Sequence, residues 1–293
     1  MVEQADRFAV TIVRNGQPEQ LTIPAIVKKD MAYNGFLTEL THPKQLEFNI
    51  ENGIGVLSIH SFAKTDVKKG KQRFKKYIRS CFSELKEKNI EHLVLDLRYN
   101  TGGTDANAAY LSKYFFDKPY RYWDRIEVTE AVAKEIKGIY RLFFKKPVLK
   151  DSMWLWQRSW VTKEFNFCRQ QKPARNHFTG KTYVLINGFC MSACTELTGV
   201  LSYNKKAIFI GEETGGCHQG DNSGMMPETG TLGGFTMTVP LMKYVTAVDP
   251  ALNVGKGTLP DHVVLPSVQD LVNNKDVVME YVMQLIRTSA THQ

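Results

Sequence analysis

Two rhythms of apolar residues alternate along the chain. Short, largely apolar runs at 54–60, 92–98, 183–186 and 207–210 each close on a glycine, an asparagine or a charge, as buried strands do. Between them apolar residues recur at helical spacing. Phe74, Ile78, Phe82 and Leu85 follow at intervals of four, four and three and predict one helix over 67–88. Further helices are predicted over 105–116, after Gly102-Gly103, and directly after Ser192, where Leu197, Val200 and Leu201 share a face. A last helix, over 275–287, carries Val278, Val282, Leu285 and Ile286. This alternation of strand and helix predicts an α/β core with at least part of its sheet parallel.

The ends of this pattern are less regular. Residues 7–27 hold two alternating stretches around Asn15-Gly16, a strong short signal for a β-hairpin. Few apolar repeats follow, so residues 1–49 read as an N-terminal β appendage or the remnant of a preceding domain, and 50–293 as the main domain. Residues 121–177 show no clean period; 128–144 are expected to be helical. Residues 153–167 are expected to form a surface segment anchored by Trp154, Trp156 and Trp160, which either line a cleft or hold an insertion against the core. Beyond Gly211 the chain is glycine-rich, with strands expected at 235–239 and 244–247.

Composition narrows the classes. At 293 residues and 43% hydrophobic content the chain can bury a sizeable core. Its net charge of +8 is dispersed among acids rather than drawn into a stripe with interleaved aromatics, which argues against nucleic-acid binding. The five cysteines lack CxxC spacing, so neither a zinc site nor a disulfide framework is indicated. No run is long enough to span a membrane, and the opening residues carry no apolar signal core.

Candidate chemistry gathers after the 183–186 strand. Ser192 stands where a helix begins, beside unpaired backbone N–H groups and the positive end of the helix dipole. A serine there can attack a carbonyl if a base takes its proton, with the resulting oxyanion against the amide of Ala193. A plain helix cap is the other reading of Ser192, and on these residues alone both stand. Gly102-Gly103 ends another buried strand, and such a pair either lends an N–H to a ligand or makes a simple turn. His60 ends the 54–59 strand, where α/β sheets carry functional groups. The loop 211–218 adds Glu212, Cys217 and His218; the segment 249–261 adds Asp249, Asn253 and Asp261. Cys190 and Cys194 flank Ser192 without a cationic neighbour to activate them.

Taken together, residues 54–62, 93–103 and 184–216, closed by 255–264, resemble the S41 family of serine peptidases, the tail-specific or C-terminal-processing proteases. The resemblance covers roughly residues 50–286, with its segments in order. It implies an α/β fold of the ClpP/crotonase kind, a nucleophile at Ser192, and oxyanion donors at Ala193 and at Gly102 or Gly103. Where many members carry a lysine base, this chain has Cys217, so a serine–lysine pair is not expected. The resemblance is closer to the tricorn-core-like branch, which uses serine with histidine and a glutamate. The histidine falls on His60, whereas the glutamate position reads Val254, leaving Asn253, Asp249 or Glu212 to orient the base.

The expectation is therefore a serine endopeptidase acting through an acyl-enzyme on Ser192, with His60 as base and neither metal nor organic cofactor. Unfolded or C-terminal polypeptide segments are the expected substrates, bound as an added strand. The rival is a catalytically inactive peptide-binding or scaffold protein that kept the fold, while an acyl-CoA enzyme of the crotonase kind would leave Ser192 without a role. An extracytoplasmic location is favoured by the resemblance alone.

Overall fold

The fold is that of a computed structural model, which describes residues 6–25, 44–224, 226–230 and 236–290. The chain divides into two units, residues 1–42 and 43–293. In the first, β1 (Arg7–Arg14) pairs antiparallel with β2 (Gln17–Pro24) around Asn15-Gly16, both with positive φ, as the Asn-Gly signal predicts.

The second unit begins with β3 (Leu46–Glu51), antiparallel to β4 (Ile54–Ile59). The boundary expected at 49/50 thus falls earlier, at 42/43. Leu46 and Phe48 pack on the core in alternation with Glu47, and β3 ends the strand order of the main sheet. The single helix expected over 67–88 is two, α1 (Lys64–Lys69) and α2 (Phe74–Glu87). Gly70 ends the first, and Lys71 takes φ 56°, which no helix continues through. After β5 (His92–Asp96) comes α3 (Asp105–Ser112).

Residues 121–177 depart most from expectation. Instead of a helix and a surface segment they give β6 (Tyr120–Arg121), β7 (Trp123–Val128), the short helices α4 (Glu130–Glu135) and α5 (Tyr140–Phe143), β8 (Lys145–Lys150), β9 (Met153–Gln157) and β10 (Gln170–Gln171). Trp123, Ile126, Val128 and Trp156 turn inward from these strands and join the core, while Trp160 stays 73% exposed. Trp156 therefore anchors.

From there the chain follows its predicted order: β11 (Lys181–Ile186), α6 (Ala193–Tyr203) and β12 (Ile208–Gly211). The glycine-rich stretch supplies β13 (Gly220–Ser223), β14 (Glu228–Gly230), β15 (Thr236–Thr238) and β16 (Met242–Thr246). Phe235, the expected start of one strand, lies outside the described residues. The two-residue β17 (His262–Val263), α7 (Val268–Val272) and α8 (Val277–Ala290) complete the unit.

Two sheets dominate. The main one runs β17-β12-β11-β5-β4-β3, parallel except for β3. Leu57, Ile59, Leu93, Leu95, Val184 and Ile186 face α2, α3 and α6, whereas Ile54, Val56, Val94, Leu185 and Ile210 face Val278, Val282 and Ile286 of α8. Each such side chain, fully buried, contributes about 1.5–3 kcal/mol. Burial on both faces explains why these strands read as continuous apolar runs. The second sheet, β13-β16-β7-β9-β8, is antiparallel, and β13 is its edge, reaching α6.

Candidate active site

Strands β4, β5 and β11 are parallel, so the loops that follow them meet at one end of the main sheet. Backbone bonds tie those loops together. Met191 N–H donates to Asn100 O (3.2 Å), Cys190 Sγ–H to Leu97 O (3.1 Å), and Phe62 N–H to Gly102 O (2.8 Å). The Asn187 side chain accepts from both Tyr99 N–H and Phe189 N–H, at 3.1 Å each.

Ser192 is held at the start of α6 with φ 51° and ψ −131°. For a non-glycine residue this region costs about 1–3 kcal/mol and persists only when surrounding contacts impose it. Its side chain makes no capping hydrogen bond to the helix. The cap reading of Ser192 thus finds no bond to support it, and the hydroxyl is left for another partner.

Beneath it lies Gly102. A Cβ on residue 102 would stand 2.7 Å from Met191 O, 2.7 Å from Ser192 Cβ and 3.0 Å from the Ala193 amide nitrogen. Gly103 packs as tightly on the other side, where a Cβ would come within 2.1 Å of Ala63 N. Both take positive φ, 98° and 129°. The Gly102 amide is engaged: it donates to Asn100 Oδ1 at 2.8 Å, and Asn100 in turn donates to Ile59 O. Of the two glycine donors expected, Gly103 is the one whose amide keeps no acceptor among the described residues, and Ala193, at the first helical position, stands outside the intrahelical ladder.

The partner facing Ser192 is Asp221 of β13, a residue the sequence reading did not single out. Burial raises the pKa of this carboxyl, and the hydroxyls of Ser192 and Ser223 only partly offset it. Ser223 Oγ–H donates to Oδ1 at 3.0 Å. Oδ2 is buried, and the Ser192 hydroxyl acts on the carboxyl without closing a full hydrogen bond to it.

One turn along α6, Glu196 is wholly buried. Tyr122 O–H and Trp123 Nε1–H face it, and neither those donors nor the two Glu196 oxygens complete hydrogen bonds. Burial, then the charges of Asp105 and Asp221, push its pKa well above the ordinary carboxylate value and favour the protonated acid.

His60 stands apart from this group. Its backbone N–H donates to Gln45 O (2.9 Å), extending the β3–β4 ladder, and Nε2 lies 3.8 Å from Glu47 Oε2. Leu57 and Ile59 pack with the α2 and α6 cluster, so alternation turns Ser58 to the opposite face; β4 ends at Ile59, and His60 stands in the bend that follows. No hydrogen bond joins His60 to Ser192 among the described residues.

The expected orienting groups are likewise elsewhere. Asp249 Oδ1 accepts from Ala251 N–H in a turn, Asn253 (φ 50°) closes the next turn through Lys256 N–H, and Glu212 leaves β12 with its N–H on Ile186 O. None of these contacts involves His60. Cys217 is exposed, and Cys190 and Cys194 are buried. His218 is buried behind α6, its Nδ1 3.1 Å from Thr258 Oγ1, and burial lowers its pKa. Among the described residues no group of three or more His, Cys, Asp and Glu is arranged to hold a metal ion, and no helix is long and apolar enough to cross a membrane.

The architecture defines a class before it defines a family: a mixed α/β protein with the fold of solved peptidases. The chain aligns with a protein of Parabacteroides merdae described as a candidate peptidase at TM-score 0.54 and 15% identity, covering 89% of this chain and 70% of the other. With mature CPAF in complex with lactacystin the TM-score is 0.52 at 14% identity, covering 97% and 69%. No curated protein matches in sequence. The chain belongs to Peptidase family S41, whose family model matches residues 53–264.

Proposed function

We propose that the protein is a serine endopeptidase whose nucleophile is Ser192. The observation that carries this reading is the conformation of Ser192 itself: a strained residue at a helix start that forgoes its capping bond and keeps its hydroxyl beside a buried carboxyl. Strain of this kind is retained where function needs a side chain aimed.

Attack by Ser192 Oγ on the scissile carbonyl places the developing oxyanion against the Ala193 and Gly103 amides, where the helix dipole adds to both. The amine leaves, and water then releases the acyl group. The substrates are unfolded or C-terminal polypeptide segments. The open edge of β13, which carries Asp221, offers backbone groups for an added strand beside Ser192.

A second reading, a peptide-binding protein without catalysis, draws on the position of His60 and on Cys217 in place of a lysine. The two separate in one experiment. A fluorophosphonate probe and fluorescent, unfolded casein are offered to the protein and to Ser192→Ala. The peptidase is labelled and cleaves casein, and both signals vanish in the variant. A binder retains casein without labelling or cleavage, and that outcome sinks the proposal.

A further inference from the structure

Ser192 needs a proton acceptor, and the candidates in its sequence neighbourhood have other surroundings. His60 faces Glu47, His218 is bonded to Thr258 behind α6, and Cys217 is exposed. What packs against α6 is the edge strand of the second sheet.

We propose that the Asp221 carboxylate is the base that takes the proton from the Ser192 hydroxyl; this rests on the reading of Ser192 as nucleophile. Three observations converge on it. Asp221 pairs with Tyr244 in the β13–β16 ladder, which fixes its backbone, and β13 packs against α6. One carboxyl oxygen is anchored, since Oδ1 accepts from Ser223 Oγ–H at 3.0 Å, while Oδ2 is buried without a formed hydrogen bond. The other hydroxyl acting on this carboxyl is that of Ser192. An anchored carboxylate with one open, desolvated oxygen beside a hydroxyl is arranged as a general base.

The surroundings suit the role. The groups facing Asp221 are Ser192 and Glu196 from α6, Ser223 on its own strand, Tyr122 ahead of β7 and Tyr244 opposite it on β16. None is a cation, so the hydroxyls of Ser192 and Ser223 offset only part of the burial that raises its pKa and makes it a stronger base than an exposed aspartate.

The proton bookkeeping closes without a co-reactant. Asp221 accepts the Oγ proton as the Oγ–C bond forms and the carbonyl electron pair moves to oxygen. The protonated Asp221 then gives that proton to the leaving nitrogen as the C–N bond breaks. In deacylation the carboxylate takes a proton from water as the water oxygen attacks, and returns it to Ser192 Oγ as the ester bond breaks.

The test uses the full chain, a fluorophosphonate probe and fluorescent casein, across pH 4 to 8. In the wild type both rates rise with pH along a limb that lies above the ordinary aspartate pKa, and His60→Ala keeps the limb and the rates. Asp221→Asn, isosteric and unable to accept the proton, slows both reactions by about 10²–10⁴-fold. Asp221→Ala is slowed likewise, and added formate restores part of its labelling, which a variant that had merely unfolded would not show. Labelling of Asp221→Asn at the wild-type rate, or a limb that disappears in His60→Ala, overturns the assignment of Asp221 and leaves Ser192 as nucleophile. A wild type that neither labels nor cleaves overturns the nucleophile and, with it, the base.

Discussion

Gly102 and Ser192 stand back to back: a Cβ on residue 102 would meet the Ser192 Cβ at 2.7 Å, closer than side-chain carbons pack. The loop after β5 thus sets the height of the serine that follows β11, and a hydrogen atom at residue 102 is the only substituent the contact admits.

Gly102→Ala tests that contact. The added methyl meets backbone on Met191 and Ala193 and sits at φ 98°, so neither side can yield cheaply. The expected outcome is loss of fluorophosphonate labelling together with destabilisation of about 1–3 kcal/mol, read from urea unfolding.

Glu196 makes stability depend on pH. Its folded-state pKa lies well above the unfolded value, so between the two the folded protein binds the extra proton and stability falls as pH rises. Glu196→Gln keeps the shape and removes the titration. The stability difference, variant minus wild type, should grow from pH 4 to pH 8 with a slope of at most about 1.4 kcal/mol per pH unit. A difference that stays flat across urea melts at these pH values would mean that Glu196 is ionised where it lies.

Arg98 clamps α8 onto the sheet. It bonds Asp276, ahead of α8, through two nitrogens at 2.7 and 2.8 Å, and Asp96 of β5 through Nη2 at 2.7 Å. Burial alone would raise the Asp276 pKa, but the guanidinium outweighs it and holds the carboxyl below its usual value. Arg98→Met should cost about 1–3 kcal/mol, less than a fully buried pair because Asp276 is half exposed. The part that Asp276 contributes is present above its unfolded pKa and disappears as pH falls through the depressed one, so the cost should shrink in acid unfolding experiments.

His60→Ala, in contrast, removes a ring whose nearest carboxylate is Glu47 on the edge strand. Labelling of Ser192 should proceed at the wild-type rate, checked by the time course of probe incorporation.

Much of this architecture was written in the chain. Strands buried on both faces announced themselves as apolar runs, and Ser192, Ala193 and Gly102-Gly103 could be picked out because a turn followed by a helix leaves small residues where backbone must come close. The second sheet was hidden. Trp123, Ile126 and Val128 lie among charges that break the period, and β13, Gly-Asp-Asn-Ser, has no apolar residue to mark it as a strand. Asp221 therefore looked like loop composition, and no local signal could have paired it with Ser192. His60 follows the last residue of β4, at the expected end of the sheet, and its Nε2 lies 3.8 Å from Glu47 of the edge strand, a neighbour that only the pairing of β3 with β4 reveals.

The serine follows a strand of one sheet and the carboxyl beside it belongs to the other, where β13 has β16 as its sole ladder neighbour among the described residues. A nascent chain that has left the ribosome only as far as residue 241 has its nucleophile elbow but no strand to hold Asp221 against it. Competence of Ser192 would then wait until β16 has been made, so that an unfinished molecule is harmless to itself and to its neighbours.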